Sequence, residues 1–188
     1  MSESSLRKHP QLQALFRATE SRQMTEQELE EYCRLVPEYT QRAIAAREIT
    51  AVEQSVVQKV VDEIFAIYPY EQFHQIALGK CTRDVRYVSA YATLSMLMND
   101  PQWFSDKLLI WFKTILHSFE FPDKKQKGRV LFSGGNQDNK IEELPPHRRS
   151  IYETYFKLKQ QYQRVLTPSS FHLIESYLQQ AIDVLSGE

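Results

Sequence analysis

The chain has 188 residues, 42% hydrophobic and 25% charged, which is enough apolar material for one core and too much for wholesale disorder. Lys plus Arg number 23 against 24 for Asp plus Glu, so the net charge of −1 provides no global field to gather nucleic acid or an anionic membrane. Five glycines, three of them crowded together as Gly128, Gly134 and Gly135, are too few for an all-β sandwich or a phosphate-binding α/β fold. An all-α chain is expected. No apolar run reaches the ~18 residues of a membrane span, and the start lacks the apolar stretch of a signal peptide, so a cytoplasmic protein without membrane insertion is expected. The two cysteines, Cys33 and Cys81, form no CxxC pattern and no HExxH motif is present, which excludes a disulfide framework and structural zinc.

In chain order, residues 1–21 are polar, with Leu6, Leu12, Leu15 and Phe16 at loose helical spacing, and read as an N-terminal helical arm. Thr25 followed by Glu28 is a capping-box pattern, and Leu29, Tyr32, Cys33, Val36 and Tyr39 continue a helical stripe. Pro37 predicts a kink or restart, after which Ala43, Ala45 and Ala46 carry the helix on. Thr50 is the expected N-cap of a further helix whose stripe Val52, Val56, Val60, Ile64 and Ile67 stops at Pro69. From Gly79 onward, Cys81, Asp84, Val88, Tyr91, Ser95 and Met98 keep one helix face up to Asn99-Asp100-Pro101. Trp103, Phe104, Leu108, Trp111, Phe112, Ile115 and Phe119 predict a bulky helix reaching the middle of the core and ending near Pro122.

Residues 123–149 read as a long polar insertion with a short hairpin at 129–132. Two helices then close the chain, about 150–166 and 168–185, the second with Thr167 as N-cap and Pro168 at N1. The expected organisation is therefore a single domain over 1–188 of about seven helices: the arm, core helices over 22–122, the insertion over 123–149 and the last two helices over 150–188.

The segment with the most chemistry is Lys80-Cys81-Thr82-Arg83-Asp84. Placed at the first turn of a helix after Gly79, the thiol would meet unpaired backbone N–H groups and the cations Lys80 and Arg83, which predicts a depressed thiol pKa. Asp84, one turn on, shares its face and needs a basic partner or the N–H donors of a ligand. The plainer alternative is a solvated charge cluster beside an inert cysteine.

Lys-Cys-x-Arg-Asp on a helix resembles the chromophore-attachment site of phycobiliproteins, the globin-fold antenna subunits of cyanobacteria and red algae. The resemblance runs from Arg22 to Pro69, ending in the aromatic-Pro step Tyr68-Pro69, and again from Cys81 to Phe121 through Tyr87, Thr93, Leu108, Ile115 and Ser118-Phe119-Glu120. Ser150 and Tyr152, then Tyr177, Ala181, Ile182, Leu185 and Ser186, are similar to the family's closing helices. It implies a globin-like fold and a linear tetrapyrrole of the phycocyanobilin type. Cys81 would form the thioether, Asp84 would accept from the pyrrole nitrogens, Arg83 and Lys80 would pair with the propionates, and Tyr87, Trp111, Phe119 and Tyr152 would pack against the rings. It implies as partners a second copy or a phycobiliprotein-like subunit, and bilin-synthesis enzymes (haem oxygenase, bilin reductase) or a bilin lyase.

The sequence also departs from the family. An interface acid aligns with Ala18 and its arginine partner with Ala90, leaving Glu20 and Arg86 as a displaced substitute pair; a chromophore-contacting tyrosine aligns with Lys107. The stretch 70–79 is short, and the insertion carries Lys124, Lys125, Lys127, Arg129, Arg148 and Arg149. These departures favour a divergent relative that keeps the bilin pocket over a standard antenna subunit, with antenna-type pigment and bilin handling both open as its purpose. The rivals are a haem-binding globin with His117 as proximal ligand, and a non-pigmented regulatory or adaptor protein. Absence of a nucleophile–base pair, a metal cluster or a phosphate loop predicts no catalysis.

Overall fold

The structure, a computed structural model, describes residues 6, 9–68, 76–119, 144 and 146–187. Seven helices make up the regular structure among them, apart from a 3₁₀ turn at Pro37–Tyr39. They are α1 (Pro10–Ala18), α2 (Glu26–Leu35), α3 (Thr40–Ile67), α4 (Ala77–Met98), α5, α6 (Pro146–Val165) and α7 (Pro168–Ser186). The fifth, α5, consists of three consecutive segments, Pro101–Phe104, Ser105–Leu109 and Ile110–His117. This is the expected all-α, globin-like architecture. The hairpin expected at 129–132 and the insertion up to residue 143 lie outside the described residues, and α6 starts at Pro146, earlier than expected.

Short-range signals act as the sequence says. Thr25 Oγ1 accepts from the Glu28 N–H at 3.3 Å while Glu28 Oε2 accepts from the Thr25 N–H at 2.8 Å, closing the capping box of α2. Thr167 caps α7 by accepting from the Ser170 N–H, with Pro168 in the first turn. Asn99 adopts the left-handed conformation (φ 53°), its N–H reaching Met96 O while the Asp100 N–H reaches Ser95 O, a Schellman end to α4. Asp100 then accepts from the Trp103 N–H at 2.9 Å and starts α5.

Two expectations give way to longer-range packing. Thr50 caps nothing: α3 runs unbroken for 28 residues, and the Thr50 hydroxyl donates to Ala46 O at 2.8 Å inside it. With no Gly or Pro between Thr40 and Ile67 and Ala43, Ala45, Ala46, Ile49, Val56 and Val57 all buried, nothing interrupts that helix. Likewise α4 begins at Ala77, so Gly79 lies inside its first turn, where open space surrounds its Cα. The polar N-terminal stretch contains the helix α1, with Leu12, Phe16 and the preceding Leu6 buried in the core.

The stripe on α5 is rotated. Ile110 N–H bonds to Ser105 O, five residues back, and this π-turn inserts one residue into the helical register. The buried face therefore passes from Phe104 and Leu108 to Leu109 and Phe112, with Leu116 packed on the core, while Trp111 is 60% and Phe119 46% exposed. The expectation that Trp111, Ile115 and Phe119 fill the core centre is corrected by that one-residue shift.

The last helix is the hub: α7 packs against α6, α3, α4 and α5, and buries Phe171, Ile174, Tyr177, Leu178, Ala181, Ile182 and Leu185. Each such side chain contributes about 1.5–3 kcal/mol on burial. On α4, the C-terminal half from Val88 to Met98 is buried almost all round, with Ser89, Ala90 and Ala92 small enough for close helix approach. Tyr32 Oη donates to Leu97 O at 2.7 Å, and Arg42 donates to Met96 O and to Asn99 Oδ1, so that end is held from α2 and α3. The N-terminal half of α4, Lys80 to Tyr87, is not reached by Tyr32 or Arg42 and is less buried: Val85 lies in the core, Cys81, Asp84 and Tyr87 are half-buried, and Arg83 and Arg86 are exposed.

Candidate functional site

Cys81 is the fifth residue of α4, beyond the turn whose N–H groups lack helical partners. Its side chain is half-buried and packs against the core. Burial pushes the thiol pKa up to about 12, and the neighbouring Asp84 carboxylate adds to the effect. The expected depression is thus reversed, because desolvation and a like charge outweigh Lys80 and Arg83.

Asp84 is one helical turn further on, with its side chain 19% exposed. Burial raises its pKa above the ordinary carboxylate value, while Arg83 and then Lys80 pull it back. Arg83 Nε and Nη2 both donate to Asp84 Oδ1, at 2.9 and 2.8 Å. Asp84 Oδ2 accepts no hydrogen bond among the described residues, so the carboxylate keeps one open acceptor edge. The Arg83 guanidinium, 55% exposed, also lies 5.8 Å from the centre of the Tyr87 ring. Lys80, Cys81, Arg83, Asp84 and Tyr87 thus form one connected group on the N-terminal half of α4.

The other expected ring contacts stand apart from this group. Trp111 faces outward, its ring 6.4 Å from that of Phe112, and Phe119 is exposed at the end of α5. Tyr152 is buried on α6, stacked on Phe156 at 5.7 Å, with Asp183 of α7 close enough to help burial raise its pKa. A cleft of about 570 Å³ adjoins the α4 group: Arg83 and Tyr87 line it together with Arg22, Glu53, Leu78 and Arg86, and neither Cys81 nor Asp84 does.

Two features near the site were not read from the sequence. Tyr91, on the Cys81–Asp84 face as expected, stacks on Trp103 at 5.4 Å and ties the C-terminal half of α4 to α5; the stack itself had no local signal. Glu20 pairs with Lys107 within the chain at 3.4 Å. His117 Nε2 donates to Leu185 O at 2.9 Å, fastening α5 to the end of α7 and occupying the nitrogen that haem ligation would use. Among the described residues, no three His, Cys, Asp or Glu side chains converge on a metal position, and no helix is long and apolar enough to cross a membrane.

Fold and site together define a class: an all-α, globin-like protein that presents a thiol and a half-buried carboxylate, flanked by cations, from one side of a single helix. A family model for phycobilisome protein matches residues 18–126, and the chain belongs to that family. The matched span contains α2 to α5, and with them every residue of the α4 group. Searches of curated proteins and of solved structures returned no match.

Proposed function

We propose that the protein binds one linear tetrapyrrole of the phycocyanobilin type against the N-terminal half of α4, held covalently at Cys81. The observation that carries this is the placement of Cys81 beside Asp84, whose Oδ2 edge is open and whose other oxygen is held by Arg83. The bound bilin supplies pyrrole N–H donors, two propionates, an exocyclic carbon for attachment and the visible absorption. Asp84 accepts from the pyrrole nitrogens and holds the positive charge in place. Arg83 keeps Asp84 Oδ1 and offers its Nη1 to a propionate, and Lys80 provides a second cation. Tyr87 offers an aromatic wall that Arg83 already braces. Trp111, Phe119 and Tyr152 complete the expected ring contacts only if the bilin extends to α5 and α6.

Within this function, holding bilin for its synthesis or transfer is preferred to an antenna role. Ala18 is exposed and Ala90 buried, and neither can carry its side of the family's interface ion pair. The partners that fit are a second copy, a haem oxygenase or bilin reductase that supplies bilin, or a lyase that attaches it. The proposed setting is the cytoplasm, with binding and not catalysis as the task of a single domain spanning 1–188.

Co-expression with phycocyanobilin synthesis, followed by denaturing electrophoresis with zinc-enhanced fluorescence, tests the proposal. A fluorescent band in the parent that Cys81→Ala abolishes is the expected result. Persistence of the band in Cys81→Ala, or a colourless parent, contradicts it.

A further inference from the structure

Resting on the function proposed above, we infer that Asp84 controls the reactivity of Cys81: its carboxylate holds the thiol protonated in the ligand-free protein, and taking up a cationic ligand on that carboxylate releases the thiol to react. Docking then precedes bond formation, and the cysteine is guarded until the correct ligand is seated.

Three features of α4 carry this. Residues 81 and 84 are one turn apart on the same side of the helix, and both are withdrawn from water, where charges act on each other more strongly than at the surface. Every charged group acting on this pair among the described residues comes from α4 itself: Asp84 on the thiol, and Arg83 and Lys80 on the carboxylate. Finally, Arg83 donates to Oδ1 alone and no other described residue donates to Oδ2, so among the described residues Asp84 retains an acceptor edge on which a ligand N–H can settle. Burial is the larger cause of the raised thiol pKa, and the Asp84 carboxylate adds to it.

Chemically the step is an addition. The Cys81 sulfur forms a bond to an exocyclic carbon of the ligand as the carbon–carbon double bond opens, and the thiol proton ends on the neighbouring carbon. No electrons are gained or lost overall, so no oxidant or reductant is required. Paired only with Arg83, whose guanidinium is half in water, Asp84 still penalises a thiolate beside it. A protonated tetrapyrrole on Asp84 removes that penalty at the moment its reactive carbon is in place.

The test uses the full chain with Cys33→Ser, which leaves Cys81 as the sole cysteine, and follows iodoacetamide alkylation by intact mass from pH 6 to 11. The parent should react slowly at neutral pH, with a rate still rising at the top of the range. Asp84→Asn should react roughly tenfold faster at pH 7.5, the size expected from removing one partly buried charge a helical turn away. Arg83→Gln, which unscreens Asp84, should react more slowly than the parent, and it supplies an independent readout should Asp84→Asn fold poorly. Toward phycocyanobilin the order should reverse, Asp84→Asn forming thioether more slowly than the parent because docking is impaired. An Asp84→Asn profile superimposable on the parent, or an Arg83→Gln profile that is unchanged or faster, overturns the inference. A parent that gives no spectral change with phycocyanobilin overturns the proposed function instead, and the alkylation series reads the thiol's control independently of it.

Discussion

Replacing Arg42 with Met should destabilise the protein by about 2–3 kcal/mol. The Arg42 guanidinium donates to Met96 O and to Asn99 Oδ1, the latter at 2.7 Å, and lies over the Tyr39 ring at 5.4 Å. Hydrogen bonds to a charged donor are worth about 1.5–3 kcal/mol each, and a cation–π contact at a wetted site about 0.5–1 kcal/mol. Two circumstances reduce the sum. Met96 O also accepts from the Asn99 N–H at 3.2 Å, so its carbonyl is not orphaned, and Asn99 is half-buried and can turn to water. Methionine keeps the apolar stem, so the loss is that of the guanidinium alone. For a chain of this length the corresponding fall in Tm is about 4–12 °C. Urea unfolding followed by far-ultraviolet circular dichroism measures the effect, with an unchanged m-value showing that the native state keeps its compactness. A double-mutant cycle with Asn99→Ala should give a coupling of about 1 kcal/mol or more. A loss below about 0.5 kcal/mol, or zero coupling, would refute the claim that Arg42 fastens α3 to the end of α4.

The register shift in α5 makes a contrasting pair: Phe112→Ala should cost about 3–5 kcal/mol, whereas Trp111→Ala should stay within about 0.5 kcal/mol, both read from urea midpoints. Equal costs for the two would place the π-turn in error. Glu28, held down to about 2 by the Arg22 guanidinium, gives an acid-range prediction. Its folded pKa lies below the unfolded one, so its contribution is complete above about pH 5 and is lost as the pH falls from there to about 2. Because Arg22 is largely in water, that contribution is about 1 kcal/mol at most. Glu28→Gln should flatten the corresponding part of the stability–pH curve, and an unaltered acid slope would speak against the pair.

What could be read from the sequence was set by how local its causes are. Thr25 with Glu28, Thr167 with Pro168, and Asn99-Asp100-Pro101 each specify a helix end through bonds within a few residues, and each acts as read. Thr50 carries the same local signal as Thr25 but sits where Ala43 to Val57 are buried, so the helix continues through it. The α5 stripe misled because a π-turn leaves no mark in the pattern of apolar residues: one added residue moves Trp111 from the inside to the outside. For the site, the identity and grouping of Lys80, Cys81, Arg83 and Asp84 were legible because they lie within five residues on one helix. The sign of the thiol's shift was not, since burial arises from elements far away in sequence and outweighs the two neighbouring cations. Glu20 with Lys107 and His117 with Leu185 are likewise products of tertiary packing, invisible to spacing.

The most direct measurement is peptide mapping by mass spectrometry of the parent protein after it has been produced together with phycocyanobilin. The account predicts one bilin per chain, carried on the peptide that contains Cys81, with the peptide containing Cys33 unmodified. A bilin on Cys33, or recovery of the Cys81 peptide wholly unmodified, would contradict it.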